Sequence, residues 1–105
     1  MKGLDYPLVI ASFADKVTAD LFHGVESKEA RRRLPRELWA VARRKLDMLN
    51  AAHDISDLRI PPANRLEALK GKLKGKWSIR INEQYRIVFA WKPGEASEVQ
   101  VVDYH

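Results

Sequence analysis

Apolar and polar positions alternate most cleanly from Trp77 to Trp91, W-S-I-R-I-N-E-Q-Y-R-I-V-F-A-W, a period of two that predicts paired strands. If Asn82-Glu83-Gln84 form a three-residue turn, Ile81 lies opposite Tyr85, Arg80 opposite Arg86, Ile79 opposite Ile87 and Trp77 opposite Phe89. One face then reads Trp77, Ile79, Ile81, Tyr85, Ile87, Phe89 and Trp91, and packs on the helices. The other presents Ser78, Arg80, Arg86, Val88 and Ala90, and is expected to be exposed. A two-residue turn would put Arg86 into the core face at a large desolvation cost. Pro93-Gly94 signals a type II turn, and Glu98 to Tyr104 follows as the last strand. Val99, Val101 and Asp103 share one of its faces; Gln100, Val102 and Tyr104 share the other.

The first half of the chain reads differently. Met1 to Pro7 is expected to be a short disordered leader, and Leu8 to Ala14 a first strand with Val9, Ala11 and Phe13 on one face. Either Ser12 or Asp15 can start the helix that follows, which runs to about His23 and stops at Gly24. Val17, Leu21 and Phe22 form its apolar stripe. Pro35 fits the first turn of a second helix with Leu38, Trp39, Val41, Ala42, Leu46, Met48 and Leu49 at helical spacing. Arg36, Arg43, Arg44 and Lys45 between them mark a solvated face. Asn50 to Asp57 is a polar connection with room for a helical turn at Ile55 to Leu58. Pro61-Pro62 forces extended backbone, and Arg65 to Leu69 alternates like a half-buried strand. Strand, two helices, then strands make an α+β domain with the helices on one face of a largely antiparallel sheet.

Composition narrows the function. The chain has 105 residues, enough for one domain, spanning 8–105 on this reading. No apolar run reaches the roughly 20 residues needed to cross a bilayer, and the start lacks a signal-peptide pattern, so the expected place is the cytoplasm without membrane attachment. Cysteine is absent, which removes thiolate nucleophiles, thiolate metal sites and disulfides. Nineteen Lys and Arg against 14 Asp and Glu give a formal charge of +5. A small basic domain attracts polyanions at long range. Lys70 to Lys76, K-G-K-L-K-G-K, is the densest basic stretch, either a solvated loop or a contact for nucleic-acid phosphates. It misses the phosphate-loop pattern, because Gly71 and Gly75 are one residue too close and Trp77 follows Lys76. Arg80 and Arg86, opposite one another, repel unless an anion or a local acid meets them.

Three blocks then carry a resemblance: P-P-A-N-R-L-E-A-L-K-G (61–71), G-K-W-S-I-R-I-N-E-Q-Y-R-I-V-F-A-W (75–91) and V-V-D-Y-H (101–105). In order and spacing they resemble the HigB branch of the RelE/ParE superfamily, the toxins of bacterial type II toxin–antitoxin modules. The resemblance implies a RelE-like microbial RNase fold and ribosome-dependent cleavage of messenger RNA. It also implies neutralisation by a HigA-like helix-turn-helix antitoxin, through which alone the toxin would reach operator DNA. No cofactor and no metal are implied. The family's terminal Asp-Tyr-His maps onto Asp103, Tyr104 and His105, its L-K-G lysine onto Lys70, and the arginine of its Y/W-R block onto Arg86. Where some members carry a catalytic His three residues before that lysine, this chain has Glu67.

A metal-free ribonuclease uses the substrate's 2′-OH as nucleophile and needs a base, an acid and cations around the phosphorane. His105 suits the acid, since a carboxylate at the end of the chain would favour its imidazolium. Glu67 is then the candidate base, Asp103 orients His105 or an arginine, and Tyr104 stacks on a base or donates a hydrogen bond. Lys70, Arg80 and Arg86 bind the phosphate, and Lys72, Lys74 and Lys76 add affinity for ribosomal RNA. Two other readings share the fold: a ParE-like inhibitor of DNA gyrase, and a relative that binds antitoxin or ribosome without cutting.

Overall fold

The computed structural model describes residues 9–104. The expected leader at 1–7, Leu8 and His105 lie outside the described residues. The helices are α1 (Lys16–His23), α2 (Lys28–Arg33) and α3 (Trp39–Asn50). The strands are β1 (Glu67–Ala68), β2 (Lys76–Arg80), β3 (Tyr85–Lys92) and β4 (Glu95–Asp103), ordered β1-β2-β3-β4 and antiparallel throughout. This is the expected α+β arrangement, with one more helix than the two expected. Lys28 to Arg33 forms a turn and a half of its own, capped by the Ser27 hydroxyl accepting from the Ala30 N–H at 3.1 Å. Leu34 is extended, and Pro35 leads through a 3-10 turn (Arg36–Leu38) into α3.

The β2–β3 register is the one the alternation requires: Arg80 faces Arg86, Ile79 faces Ile87 and Trp77 faces Phe89. Ile81 closes the turn by donating to the Tyr85 carbonyl at 2.9 Å. Asn82 holds it open at three residues, because its side-chain oxygen accepts from the Gln84 and Tyr85 N–H groups at 2.9 and 2.8 Å. Ile79, Ile87, Phe89, Val99 and Val101 are fully buried against Leu21, Leu46 and Leu49 of the helices. The last strand begins three residues earlier than expected, at Glu95, directly after the turn in which Gly94 takes φ 75. A bulge on β4 makes this possible. Val88 pairs with Gln100 but Ala90 pairs with Ser97, so one extra residue is absorbed where Glu98 adopts φ 53.

The first segment is a strand only in part. It makes two isolated parallel bridges to β4, Ile10 to Ala96 and Phe13 to Val99. Its backbone still pairs with that edge: Ala96 donates to Val9 at 2.8 Å and Val99 to Ser12 at 3.1 Å. Past Ala14, whose N–H donates to the Val99 carbonyl at 2.9 Å, the pairing passes to side chains. Val101 donates its N–H to the Thr18 hydroxyl at 3.0 Å, and its carbonyl accepts from Arg33 at 3.0 Å. The outer edge of β4 is thus satisfied from Ala96 to Val101, the usual protection against edge pairing.

Asp15, rather than Ser12, caps α1; its carboxylate accepts from the Thr18 N–H at 2.9 Å. It also accepts from Arg33 at 2.8 Å and from Gln100 at 3.1 Å. Gly24 ends α1 at φ 73, where an added Cβ would also lie 2.9 Å from the Arg43 guanidinium. Lys45, assigned by its pattern to a solvated face, is instead buried in line with Ala42, Leu46 and Leu49. Its ammonium donates to the Asn64 side-chain oxygen, and burial, with Arg44 adding repulsion, lowers its pKa from the ordinary value. Asn64, fully buried, donates in turn to the Leu58 carbonyl at 3.1 Å. The connection from Leu58 to Arg65 is thereby tied to α3, with 3-10 turns at Ile55–Arg59 and Pro62–Asn64.

Burial alone would raise the Asp15 carboxyl, but hydrogen bonds from Arg33, Thr18 and Gln100 outweigh it and hold the group below its ordinary value of 3.8. A lowered native pKa adds stability that is complete above the unfolded value and fades as pH falls through the native one. Asp15→Ala is therefore expected to cost about 1–3 kcal/mol in urea unfolding at neutral pH. The gap to the wild-type protein should narrow as the pH is taken from about 5 to about 2; a gap that stays constant would show that the carboxylate charge does not matter there.

Candidate active site

Arg86 is the second residue of β3, just after the β2–β3 turn, on the face away from the helices. That face was expected to be exposed, and here the structure differs: Ser78 is 0%, Val88 5% and Arg86 9% exposed. A guanidinium so placed needs acceptors, and a short segment supplies them. Glu67 accepts from Nη1 at 3.0 Å, and the Arg65 carbonyl accepts from Nη2 at 2.6 Å. The segment reaches Arg86 because β1 pairs Glu67 with Ser78 and Ala68 with Trp77. The five-residue strand expected at Arg65 to Leu69 shrinks to two residues, since Arg65 takes φ 46, ψ 55 and turns the chain before pairing begins. Arg86 Nε and Ser78 Oγ are buried with no hydrogen-bond partner among the described residues.

Tyr104 completes the enclosure. Its ring lies 5.3 Å from the Arg86 guanidinium, and its N–H donates to the Gln84 carbonyl at 2.6 Å. The pairing of Tyr85 with Asp103 and Arg86 with Val102 sets this position. Asp103 falls on the Val101 side of the strand, and its carboxylate accepts from the Gln84 amide at 3.0 Å.

Two open clefts flank Arg86. One, of about 310 Å³, is lined by Arg65, Arg80, Asn82, Glu83, Arg86 and Tyr104. The other, of about 360 Å³, is lined by Arg65, Leu66, Glu67 and Arg86. Of the residues singled out in the sequence, the structure brings Glu67, Arg80, Arg86 and Tyr104 together around them. Lys70 is exposed just after β1, and Lys72 and Lys74 are exposed on the loop that follows. Lys76 is committed elsewhere, in an ion pair with Glu98 at 3.0 Å. Arg65, which the sequence pattern placed in a strand without a role, lines both clefts. Its left-handed backbone left no mark in the hydrophobic pattern. Among the described residues no three His, Cys, Asp or Glu side chains converge as metal ligands, and no helix is long and apolar enough to cross a membrane.

The arrangement is a cationic cleft in which a buried arginine is held between a carboxylate and an aromatic ring. The fold around it is shared with a chain of the YoeB–YefM complex from Staphylococcus aureus, at TM-score 0.57 and 16% identity, over 95% of this chain and 99% of that one. This places the domain among the RelE-like folds. The model of the HigB-like toxins, described as the RelE-like toxin of type II toxin–antitoxin system HigB, matches residues 11–105. The chain belongs to this family. It is 49% identical to Toxin HigB-1 of Vibrio cholerae serotype O1 over 71 residues, 68% of this chain and 75% of the relative. It is 43% identical to an uncharacterized protein of Haemophilus influenzae over 67 residues, 64% of this chain and 66% of the relative.

The two ion pairs on this face differ in the depth of their cations, and so should their energetics. The Glu67–Arg86 pair has side-chain exposures of 52% and 11%, against 43% and 72% for Glu95–Lys92. Glu67→Ala leaves a nearly buried guanidinium one acceptor short and is expected to cost about 1–2 kcal/mol, discounted for the exposed carboxylate. Glu95→Ala should stay within about 0.5 kcal/mol of wild type. Urea unfolding of the two variants side by side checks the difference; equal effects would mean that solvent screens Arg86 as well as it screens Lys92.

Proposed function

We propose that this protein is a ribosome-dependent messenger-RNA endoribonuclease, the toxin of its module, and that residues 8–105 form its single domain. The carrying observation is the seating of Arg86, with Glu67 at 3.0 Å on one side, the Tyr104 ring at 5.3 Å on the other and an open cleft before it. In-line transesterification needs a base beside a phosphate-binding cation, and Glu67 beside Arg86 meets that need. Glu67 takes the proton from the 2′-OH as the 2′-oxygen bonds to phosphorus. The bond from phosphorus to the 5′-oxygen breaks, and His105 gives that oxygen a proton. The products are a 2′,3′-cyclic phosphate and a 5′-OH end, with no metal in the scheme.

Arg86 and Arg80 stabilise the phosphorane, with Lys70 adding charge from the adjoining loop. Tyr104 stacks on a base made accessible in the decoding site. Asp103 orients the chain end that bears His105. Lys72 and Lys74 add ribosomal RNA contacts, and Lys76 contributes once Glu98 yields to phosphate. A HigA-like helix-turn-helix antitoxin neutralises the toxin, and operator DNA is reached only through it. The site of action is the cytoplasm.

Glu67→Gln is expected to lower single-turnover cleavage on programmed ribosomes by roughly 100- to 10,000-fold. A chain ending at Asp103 should lose both cleavage and translation inhibition. Gyrase poisoning by the wild-type protein without new RNA 5′ ends would overturn the ribonuclease reading. Cleavage undiminished in the chain ending at Asp103 would remove Tyr104 and His105 from the mechanism.

A further inference from the structure

Arg65 is one of two residues other than glycine, among those described, with positive φ. The other, Glu98, is explained by the bulge on β4. Arg65 sits at φ 46, ψ 55, a conformation in which Cβ crowds the backbone and which glycine or asparagine adopts more readily. A non-glycine residue there implies that its side chain is worth the strain. The backbone role of Arg65 does not explain the side chain. Its carbonyl holds Arg86 Nη2 at 2.6 Å, and any residue has a carbonyl. What needs the arginine must lie at its other end. Arg65 is exposed, makes no ion pair among the described residues, and is common to both clefts beside Arg86.

We propose that Arg65 is a second phosphate-binding residue of the site, and that the wall it forms with Arg86 divides the site into two adjoining nucleotide subsites. This rests on the ribonuclease reading above and deepens it. The two shared residues are both cations, so a phosphodiester is bound at the wall between the clefts. Nucleotides joined by that phosphate then fall on either side. The cleft holding Tyr104, Arg80, Asn82 and Glu83 offers a ring for stacking and polar groups for a base edge. The cleft holding Leu66 and Glu67 places the carboxylate on the neighbouring nucleotide, where a 2′-OH is deprotonated. Arg86 is fixed by two protein acceptors and serves as the rigid half of the clamp; Arg65 is the solvent-facing half that closes on the anion.

The test separates side chain from backbone. Arg65→Gly keeps the carbonyl that holds Arg86 and removes the strain at positive φ, so its melting temperature should equal or exceed that of the wild type. Its single-turnover cleavage on programmed ribosomes should fall 10- to 100-fold, on the order of one charge-assisted phosphate contact. Arg65→Lys, under the same strain but still charged, should recover part of that rate. A folded Arg65→Gly protein that cleaves at the wild-type rate would overturn the proposal, because the carbonyl alone would then suffice. Equal loss in the Gly and Lys variants would deny a role for the charge and overturn it as well. Absence of cleavage by the wild-type protein would instead count against the ribonuclease reading itself.

Discussion

The structure depends on keeping one guanidinium almost out of water. Arg86 lies on β3, an inner strand where it is flanked by Arg80 of β2 and Val102 of β4, so its side chain cannot escape to an edge. An ion in that position is tolerated only where fixed acceptors replace its hydration. The acceptors come from Arg65 and Glu67, whose placement is itself constrained. Asn64, the preceding residue, is locked by Lys45 of α3 and by the Leu58 carbonyl. A helix on one side of the sheet therefore sets the position of a carboxylate on the other.

The second support is the sealed edge of β4. That strand ends at Asp103 and Tyr104 follows it directly, so anything that shifts it moves the ring over Arg86. The segment from Val9 to Ala14, the Thr18 hydroxyl and the Arg33 guanidinium bond its outer edge in turn. Asp15 links these pieces by capping α1, pairing with Arg33 and accepting from Gln100. Sequence positions some 85 apart are joined there, which makes the first residues of the domain structural partners of the last.

The hairpin was legible because a period of two leaves one register that sets Trp77, Ile79, Ile81, Tyr85, Ile87, Phe89 and Trp91 on the core face and keeps Arg86 off it. The face opposite the core was misread for the same reason. Alternation reports which side a residue points to, and says nothing of what lies above it. Arg86 is covered by residues 19 and 21 positions earlier in the chain, brought there by a two-residue strand too short to leave a pattern. Lys45 was assigned to solvent because a lysine normally belongs there; its burial depends on Asn64, a residue that carries no hydrophobic signal. Arg65 was invisible because a left-handed φ in an arginine has no sequence signature. Resemblance pointed to Glu67 and Tyr104 where pattern did not, and the structure sets both beside Arg86.

The arginine pair opposite one another now has a physical account. Like charges facing each other across a sheet repel. Arg86 is neutralised locally by Glu67, whereas Arg80 is half-buried and faces the cleft. With Arg65 added, the first cleft has three guanidinium groups against the single carboxylate of Glu83 on its walls. Solvent screening lets the cleft hold that imbalance. Among the described residues, hydrogen-bonding acceptors fix Arg86 but neither Arg65 nor Arg80, so the fold settles the geometry of one cation and leaves the surplus charge to whatever enters. A neutral ligand would leave that surplus unused, and a free carboxylate would answer one cation at most. A phosphodiester chain, which repeats its charge from one nucleotide to the next, answers it on both sides of Arg86.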